Sequence, residues 1–264
     1  MRSSGSAIAG DYNRLAWGKA MKEGTVRPEL PKRFYKTVSI GEEDGGFAVL
    51  LDGRPVRTPA RHPLTVPVRA VADVIAVEWD AQTDRVDPTT MPMTRLTNTV
   101  IDGVAQDLDA VRQDAGRYIE TDLLFYRAGG PDRLVERQTE RWDPIIRIYE
   151  DELGVRFTLA EGVMHTPQPT MAIELFKARL AEIADAFQLA GFHQMTTLTG
   201  SALLALAVAD GHLDVDEAWA LAHLDEDWNI EQWGEDEEAV ARRARRFEDM
   251  KVAALMVSRL ERRS

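Results

Sequence analysis

The chain has 264 residues, of which 44% are hydrophobic and 29% charged, an ordinary globular composition that excludes a disordered or collagen-like protein. Acidic residues outnumber basic ones by 44 to 32, and the net charge of -12 argues against binding to nucleic acid or to an anionic membrane surface. Because the chain has no cysteine, disulfides, thiolate-bound metals and a thiol nucleophile are excluded.

The N-terminal part predicts a small antiparallel sheet followed by one helix. Short apolar runs alternate there with Gly, Asp and Pro, a strand pattern found in four segments: Phe34–Ile40, Phe47–Leu51, Arg54–Thr58 and Leu64–Val66. The pair Asp52-Gly53 is typical of a two-residue hairpin turn. From Val68 to Trp79 the apolar residues recur at helical spacing, which predicts a helix with one buried face.

Beyond about Met93 the pattern is helical, apart from one possible short strand at Val155–Thr158. Five helices are expected. The first runs from Pro131 to a cap at Gly154, the second from Thr170 to a stop at Gly191, and the third is a buried helix over Ser201–Ala209 closed by Gly211. The fourth is opened by Asp214 and Glu217 and runs through Trp228, and the last begins at about Glu235. The longest apolar run, Ala202–Ala209, is too short to span a bilayer, so no membrane insertion is expected.

These patterns predict an α+β protein, with a small N-terminal antiparallel sheet and a helix followed by a mainly helical C-terminal domain. Three segments are expected. Residues 1–31 form an N-terminal tail with a possible short helix, residues 32–92 form the α+β domain, and residues 93–264 form the helical domain.

Signatures of metal binding and nucleotide chemistry are absent from the sequence. The five histidines stand far apart without metal-ligand spacing, and no phosphate loop, nucleophile elbow or dinucleotide fingerprint is present. The acidic run Asp225–Asp227 is interpreted as a solvated helical face, because consecutive helical residues point in different directions. No metal site is therefore predicted.

Two stretches are richer in polar and aromatic residues than packing alone requires. The first joins Glu78–Gln82 to Met91–Asn98, although Trp79 could pack in the core and Arg95 could satisfy loop carbonyls. The second is Trp228–Glu238, where the acids could instead favour the start of a helix through its macrodipole. Both interpretations stay open for each stretch.

Seven motifs in order resemble those of a known family, the assembly chaperones of F-type ATP synthase that hold the unassembled alpha subunit of the catalytic head. The motifs are Lys32–Lys36, Leu51–Pro59, Glu78–Gln82, Met91–Thr99, Thr121–Arg127, Trp142–Pro144 and Trp233–Glu237. Each is weak alone, but seven in family order over about residues 32 to 240 are specific.

The resemblance implies a chaperone with no catalytic residue and no cofactor. It would cover a surface of the alpha subunit that otherwise self-associates before the beta subunit arrives, and so prevent aggregation. The partner-binding residues it implies are Trp79, Arg95, Trp233, Glu235 and Glu237. Because no targeting leader is visible, a bacterial cytoplasmic member is expected, whereas eukaryotic relatives would act in the mitochondrial matrix.

Two alternatives from other functional classes remain at this point. One is a small-molecule enzyme that uses Arg95, Asp122 and Tyr126 around a cleft between the two domains. The other is an adaptor for an unrelated protein partner. Turnover of a small molecule would distinguish the enzyme, and partner identification would distinguish the adaptor.

Overall fold

The computed structural model describes residues 29–43, 45–162 and 164–260. Most of the predicted N-terminal tail, with its possible short helix, therefore lies outside the described residues. The described chain divides into two compact units, unit 1 up to Leu108 and unit 2 from Asp109 onward. The boundary between residues 92 and 93 that the sequence suggests stays a prediction about folding domains.

Unit 1 contains a four-stranded antiparallel sheet, whose strands are β1 Val38–Glu43, β2 Gly46–Leu51, β3 Arg54–Pro55 and β4 Thr65–Val66. β1 pairs along the whole of β2, while β3 and β4 pair with opposite ends of β2. Pro55 cannot donate a ladder hydrogen bond, which fits its place on the short strand β3. The predicted hairpin turn is present, since Asp52 and Gly53 both have positive φ, 48° and 78°.

The first strand begins later than the sequence suggests. Phe34–Thr37 is not part of β1. The backbone N–H groups at its end donate to the Asp52 carboxylate and not to the carbonyls of a neighbouring strand. Its Oδ1 accepts from the backbone N–H of Lys36 at 3.1 Å and of Thr37 at 2.9 Å. The Asp52 side chain therefore replaces strand pairing over the residues where the first strand was expected to begin.

Two helices complete unit 1, α1 Arg69–Asp80 and α2 Pro92–Asp102. The predicted apolar face of α1 is buried through Val71, Ala72 and Ile75, and the helix packs on β1 and β2. This arrangement confirms the small sheet with one helix lying on it.

The rest of the described chain is mainly helical, which confirms the predicted fold class. Its helices are α3 Leu108–Arg117, α4 Asp132–Leu153, α5 Thr170–Ala181, α6 Ala186–Thr199, α7 Ala202–Ala209, α8 Val215–Ala222, α9 Leu224–Trp233 and α10 Glu237–Leu260. Two short strands, β5 Tyr126–Arg127 and β6 Ala160–Glu161, pair in parallel. In the described part of the chain, no helix is both long enough and apolar enough to cross a bilayer.

Helix α7 is the centre of unit 2, as its uniformly apolar sequence predicts. All eight of its residues are buried, and α4, α6, α8 and α10 pack around it. The helix begins with the Ser201 hydroxyl accepting from Leu204 N and ends before Gly211, which has a φ of 76°.

Three helix and strand boundaries differ from those expected. The helix opened by Asp214 stops at Ala222, and α9 begins anew after His223, whose φ and ψ of -110° and 16° are not helical. The helix that starts at Thr170 ends at Ala181, and the side chain of Asp185 caps α6. The expected strand at Val155–Thr158 is wrong, because the pairing with β5 occurs at Ala160–Glu161.

Gly191 was expected to end a helix but lies inside α6, where that helix packs on α10. A Cβ at this position would lie 2.7 Å from the Ala253 carbonyl oxygen and 2.8 Å from Val257 Cγ2. The residue is therefore a close-approach glycine. Its missing side chain lets the two helices touch.

We expect Gly191→Ala to lower the free energy of unfolding by about 1–3 kcal/mol, because backbone would have to move to admit the methyl group. Gly116→Ala is the matched control, since a Cβ there would meet Lys177 Cγ at 3.1 Å, on a flexible side chain. Alanine at position 116 should be neutral or stabilising by about 0.5–1 kcal/mol through helix propensity. Urea unfolding of both variants measures the difference, and equal effects would contradict this packing.

Candidate functional site

The first candidate stretch is held together by Glu78, which caps helix α2. Its Oε1 accepts from Met93 N at 2.6 Å, and its Oε2 accepts from Thr94 N at 2.8 Å and Thr94 Oγ1 at 2.6 Å. Burial raises the pKa of Glu78, while the hydrogen bonds from Thr94 and Met93 and the positive charge of Arg95 oppose the rise. Glu78–Gln82 and Met91–Asn98 are thus joined by a helix cap, which accounts for much of their polarity.

Trp79 is half-buried and packs within unit 1. Its ring meets that of Tyr35 edge to face at 5.6 Å, and the Tyr35 hydroxyl donates to the Trp79 carbonyl at 2.6 Å. Arg33 lies over the Tyr35 ring at 4.6 Å and donates to the Asp80 carbonyl at 2.9 Å. Trp79 therefore has a structural role, and its predicted role in partner binding stays a prediction.

The second candidate stretch forms an exposed corner between α9 and α10. We call Trp233, Gly234, Glu235, Asp236 and Glu237 the α9–α10 corner. The Trp233 side chain is 87% exposed, the highest value among the large apolar residues described. Gly234 reverses the chain with a φ of 87°, and the Asp236 carboxylate caps α10 by accepting from Ala239 N at 2.8 Å.

This corner combines a tryptophan with exposed carboxylates, Glu235 and Glu237. Neither acid has an ion-pair partner in the part of the chain that the structure describes. A tryptophan surrounded by carboxylates suits a partner with an apolar pocket and basic side chains. The corner is thus the part of the predicted site that packing does not explain.

Helix α9 is fixed to α4 just before the corner. Arg137 donates to both carboxylate oxygens of Glu231, at 2.8 and 2.9 Å, and its guanidinium lies 4.9 Å from the centre of the Trp228 ring. The hydrogen bond from Arg137 lowers the pKa of Glu231. Such a two-pronged contact limits the motion of α9 and orients the corner that follows it.

A buried amide makes a second link between α4 and α9. Gln138 is 1% exposed. Its Oε1 accepts from Ala128 N at 2.8 Å and its Nε2 donates to Asp225 Oδ1 at 2.7 Å. The interpretation of Asp225–Asp227 as a solvated face therefore needs correction, because Asp225 is tied to Gln138 and Asp227 pairs with Arg243. Sequence reasoning missed this link, since its partners lie 87 residues apart.

The three residues of the enzyme alternative lie in different surroundings. Asp122 is fully buried, and its carboxylate accepts from Leu124 N and Leu203 N, each at 3.0 Å. Tyr126 lies at the surface with its hydroxyl 3.4 Å from His165 Nδ1, and Arg95 belongs to unit 1. Asp122 is thus a cap in the interior and is not placed to contact a substrate.

One group of side chains has the geometry to hold a cation. Ligand atoms of Glu152, Asp210 and His212 lie within 4.8 Å of one another. However, the Arg179 guanidinium already approaches Asp210 at 2.6 Å and Glu152 at 3.5 Å. Arginine thus provides the positive charge at this group, and the expected absence of a metal site stays a prediction.

Of the five predicted binding residues, the structure places Trp233, Glu235 and Glu237 together at one corner. Trp79 and Arg95 lie in unit 1, in the elements that Glu78 joins. Two other motifs contribute contacts within the fold. Arg127 pairs with Asp143 at 2.8 Å, and Trp142 Nε1 donates to the Leu221 carbonyl at 3.0 Å. The roles of the five residues in binding a partner stay predictions.

Comparison with known proteins finds one family. The family described as "ATP12 chaperone protein" matches residues 32–150. Protein atp12, mitochondrial, of Schizosaccharomyces pombe is 25% identical over 221 residues, which cover 79% of this chain and 75% of that protein.

Solved structures agree with this assignment over nearly the whole chain. The crystal structure of Atp12 from Paracoccus denitrificans is 42% identical with a TM-score of 0.78, and the match covers 87% of this chain and 99% of that one. A proposed chaperone from Agrobacterium tumefaciens is 51% identical with a TM-score of 0.83, covering 94% of this chain and 96% of that one. The chain therefore belongs to the ATP12 family of chaperones, which confirms the family that its motifs resemble.

Proposed function

We propose that this protein is an assembly chaperone of F-type ATP synthase that binds the unassembled alpha subunit, its client, and keeps it from aggregating until it pairs with beta. Membership of the ATP12 family supports the chaperone class. The observation that carries the proposal further is the α9–α10 corner, where Trp233 is 87% exposed beside the exposed carboxylates of Glu235 and Glu237. An exposed tryptophan on a fixed helix is a typical centre of a protein-binding surface.

The mechanism needs no catalytic step and no cofactor. Free alpha subunit exposes apolar surface that would otherwise lie against beta, and covering this surface lowers the concentration of aggregation-prone chains by mass action. The net charge of -12 favours a client surface with basic groups and disfavours other acidic proteins. Release would follow when beta competes for the same surface.

A bacterial cytoplasm is the proposed location. The identity to the Agrobacterium and Paracoccus proteins is 51% and 42%, against 25% to the mitochondrial protein of fission yeast. An alpha subunit in the same compartment would meet the chaperone directly after synthesis.

The experiment that tests this function is light scattering of refolding alpha subunit with and without the chaperone. We expect scattering to fall to near the baseline at about one chaperone per alpha subunit, because each complex covers one interface. Beta subunit refolded alone is the specificity control and should aggregate as before. Unchanged scattering of alpha at excess chaperone would contradict the proposal.

A further inference from the structure

Helix α9 lies between two positions where the backbone leaves helical geometry. His223, which separates it from α8, has φ and ψ of -110° and 16°. Gly234, which separates it from α10, has φ and ψ of 87° and 175°, values that glycine adopts and other residues almost never do. Rigid elements change direction at such terminal positions. α9 is therefore a helix of ten residues between two candidate hinges.

The first residues of α9 are anchored in unit 2. His223 and Leu224 are both buried. Asp225 accepts a hydrogen bond from the buried amide of α4 at 2.7 Å, and Asp227 forms an ion pair with Arg243 of α10. The helix is thus attached to α4 and to α10 next to the first hinge.

The far end of α9 has fewer attachments. In the described chain, the side chains of residues 228–233 make ion pairs, hydrogen bonds and ring contacts only with Arg137. Arg137 donates to both carboxylate oxygens of Glu231 and lies 4.9 Å from the centre of the Trp228 ring. The side chains of this ion pair are 36% and 49% exposed, and water screens an ion pair at such a site. One partly screened residue therefore holds the end of α9 that leads into the α9–α10 corner.

We propose that α9 is a hinged arm and that Arg137 is the clamp that holds its far end closed. Within α9 only Leu224 is buried, and elements with few buried apolar side chains open locally more readily than the core does. In the closed arm, Arg137 lies over one face of the Trp228 ring. Opening uncovers that face, so the open arm presents Trp228 together with Trp233.

The chain beyond Gly234 leaves room for this motion. Between Glu237 and Glu248 of α10, every residue is exposed except Ala239, Arg243 and Phe247, which are half-buried. Ten helical residues at about 1.5 Å each make the arm about 15 Å long, so a tilt of about 20° at the first hinge moves its far end by about 5 Å. A displacement of this size can be measured between two labels.

The test uses two spin labels on the full chain. Because the chain has no cysteine, introduced cysteines are the only labelling sites. Gln232→Cys labels the exposed far end of the arm, and Glu174→Cys labels an exposed position on α5. Arg137→Ala removes the clamp from this labelled chain. Arg141→Ala is the matched control, because Arg141 lies one turn further along α4, is exposed and makes no ion pair among the described residues.

Double electron–electron resonance measures the distribution of distances between the labels. We expect Arg137→Ala to raise the ratio of open to closed arms by about 5- to 30-fold, because a partly exposed ion pair and a cation–π contact are lost. Arg141→Ala should change the ratio by less than about twofold. Salt at about 1 M should open the arm more in the labelled wild-type chain than in Arg137→Ala, because it screens the clamp.

Circular dichroism confirms that each variant is folded, and the effect of salt on the labelled wild-type chain tests the clamp without a substitution. Equal distributions in Arg137→Ala and Arg141→Ala, or a distribution that salt leaves unchanged, would overturn the inference. Because these measurements contain no client, either result leaves the proposed function standing.

The use of the open arm in binding the alpha subunit rests on the proposed function. We expect saturating alpha subunit to shift the labelled chain to the longer distance, and Arg137→Ala to bind it more tightly, because a larger fraction of its arms is already open. A complex that keeps the closed distance, or weaker binding by Arg137→Ala, would overturn this use of the arm. Failure of alpha to bind the wild-type chain would overturn the proposed function and leave the motion standing.

Discussion

Replacing Glu237 by lysine should weaken binding of the alpha subunit by about 30-fold to several thousand-fold, equivalent to about 2–5 kcal/mol, if this carboxylate meets a basic group of the client. Glu237 is the first residue of α10 and is exposed beside the cap formed by Asp236. A client that covers the α9–α10 corner would also cover Glu237. Reversing its charge would then leave two cations facing each other.

Glu238→Lys is the matched control, because it places the same charge on the same turn. Consecutive helical residues point about 100° apart, so a contact made by one is not made by the other. If both acids act only on the helix macrodipole, each reversal should lower the free energy of unfolding by about 0.3–1 kcal/mol and leave binding intact.

Two measurements separate these outcomes. Urea unfolding gives the cost to the fold, and titration with alpha subunit gives the cost to binding. A large loss of affinity in Glu237→Lys alone would place Glu237 in the interface. Small and equal losses in both variants would remove it from the site.

The fold could be predicted where local pattern decides structure. The buried face of α1 follows from the helical spacing of its apolar residues, and the burial of α7 follows from its uniformly apolar sequence. The Asp52-Gly53 turn follows from a residue pair that tolerates positive φ. In each case the information lies within a few neighbouring residues. Tertiary contacts only confirm these choices.

Prediction was wrong where a distant contact decides. In the sequence, Gly191 fits the end of a helix as well as a close contact between two helices. Only the position of the Ala253 carbonyl oxygen, 2.7 Å from where a Cβ would lie, shows that the contact is the reason for the glycine. The later start of β1 depends on Asp52, some 15 residues further along the chain. Neither partner can be read from local periodicity.

The candidate site shows the same division. The α9–α10 corner is contiguous in sequence, so its tryptophan and acids could be noticed without a structure. The Gln138 to Asp225 link, in contrast, spans 87 residues. Such contacts arise only from packing, which a single sequence does not reveal.

Asp122 should make the stability of this protein depend on pH in the acid range. The residue is 0% exposed, and burial raises its pKa to about 6 from the usual 3.8, although hydrogen bonds from Ser201, Leu203 and Leu124 oppose the rise. The folded state therefore holds a proton on Asp122 at pH values where the unfolded chain has lost it. Stability from this group is fully present below about pH 4 and is lost as the pH rises through about 6.

Each unit of pKa difference corresponds to about 1.4 kcal/mol, so the contribution of Asp122 should change by about 3 kcal/mol across this window. Asp122→Asn cannot titrate and isolates the effect. We expect the unfolding free energy of wild type, measured relative to Asp122→Asn, to fall by about this amount between about pH 4 and pH 7.

Asp185→Asn is the control, because Asp185 also caps a helix, accepting from Phe187 N at 2.8 Å and Gln188 N at 2.9 Å, but remains partly exposed. Asparagine is an equally good cap there, so Asp185→Asn measures what exchanging a capping carboxylate for an amide costs in itself. Urea unfolding at several pH values measures both differences. If the difference for Asp122→Asn instead grows with pH, the buried carboxylate is stabilised as an anion, and the hydrogen bonds from its backbone donors outweigh the cost of burying its charge.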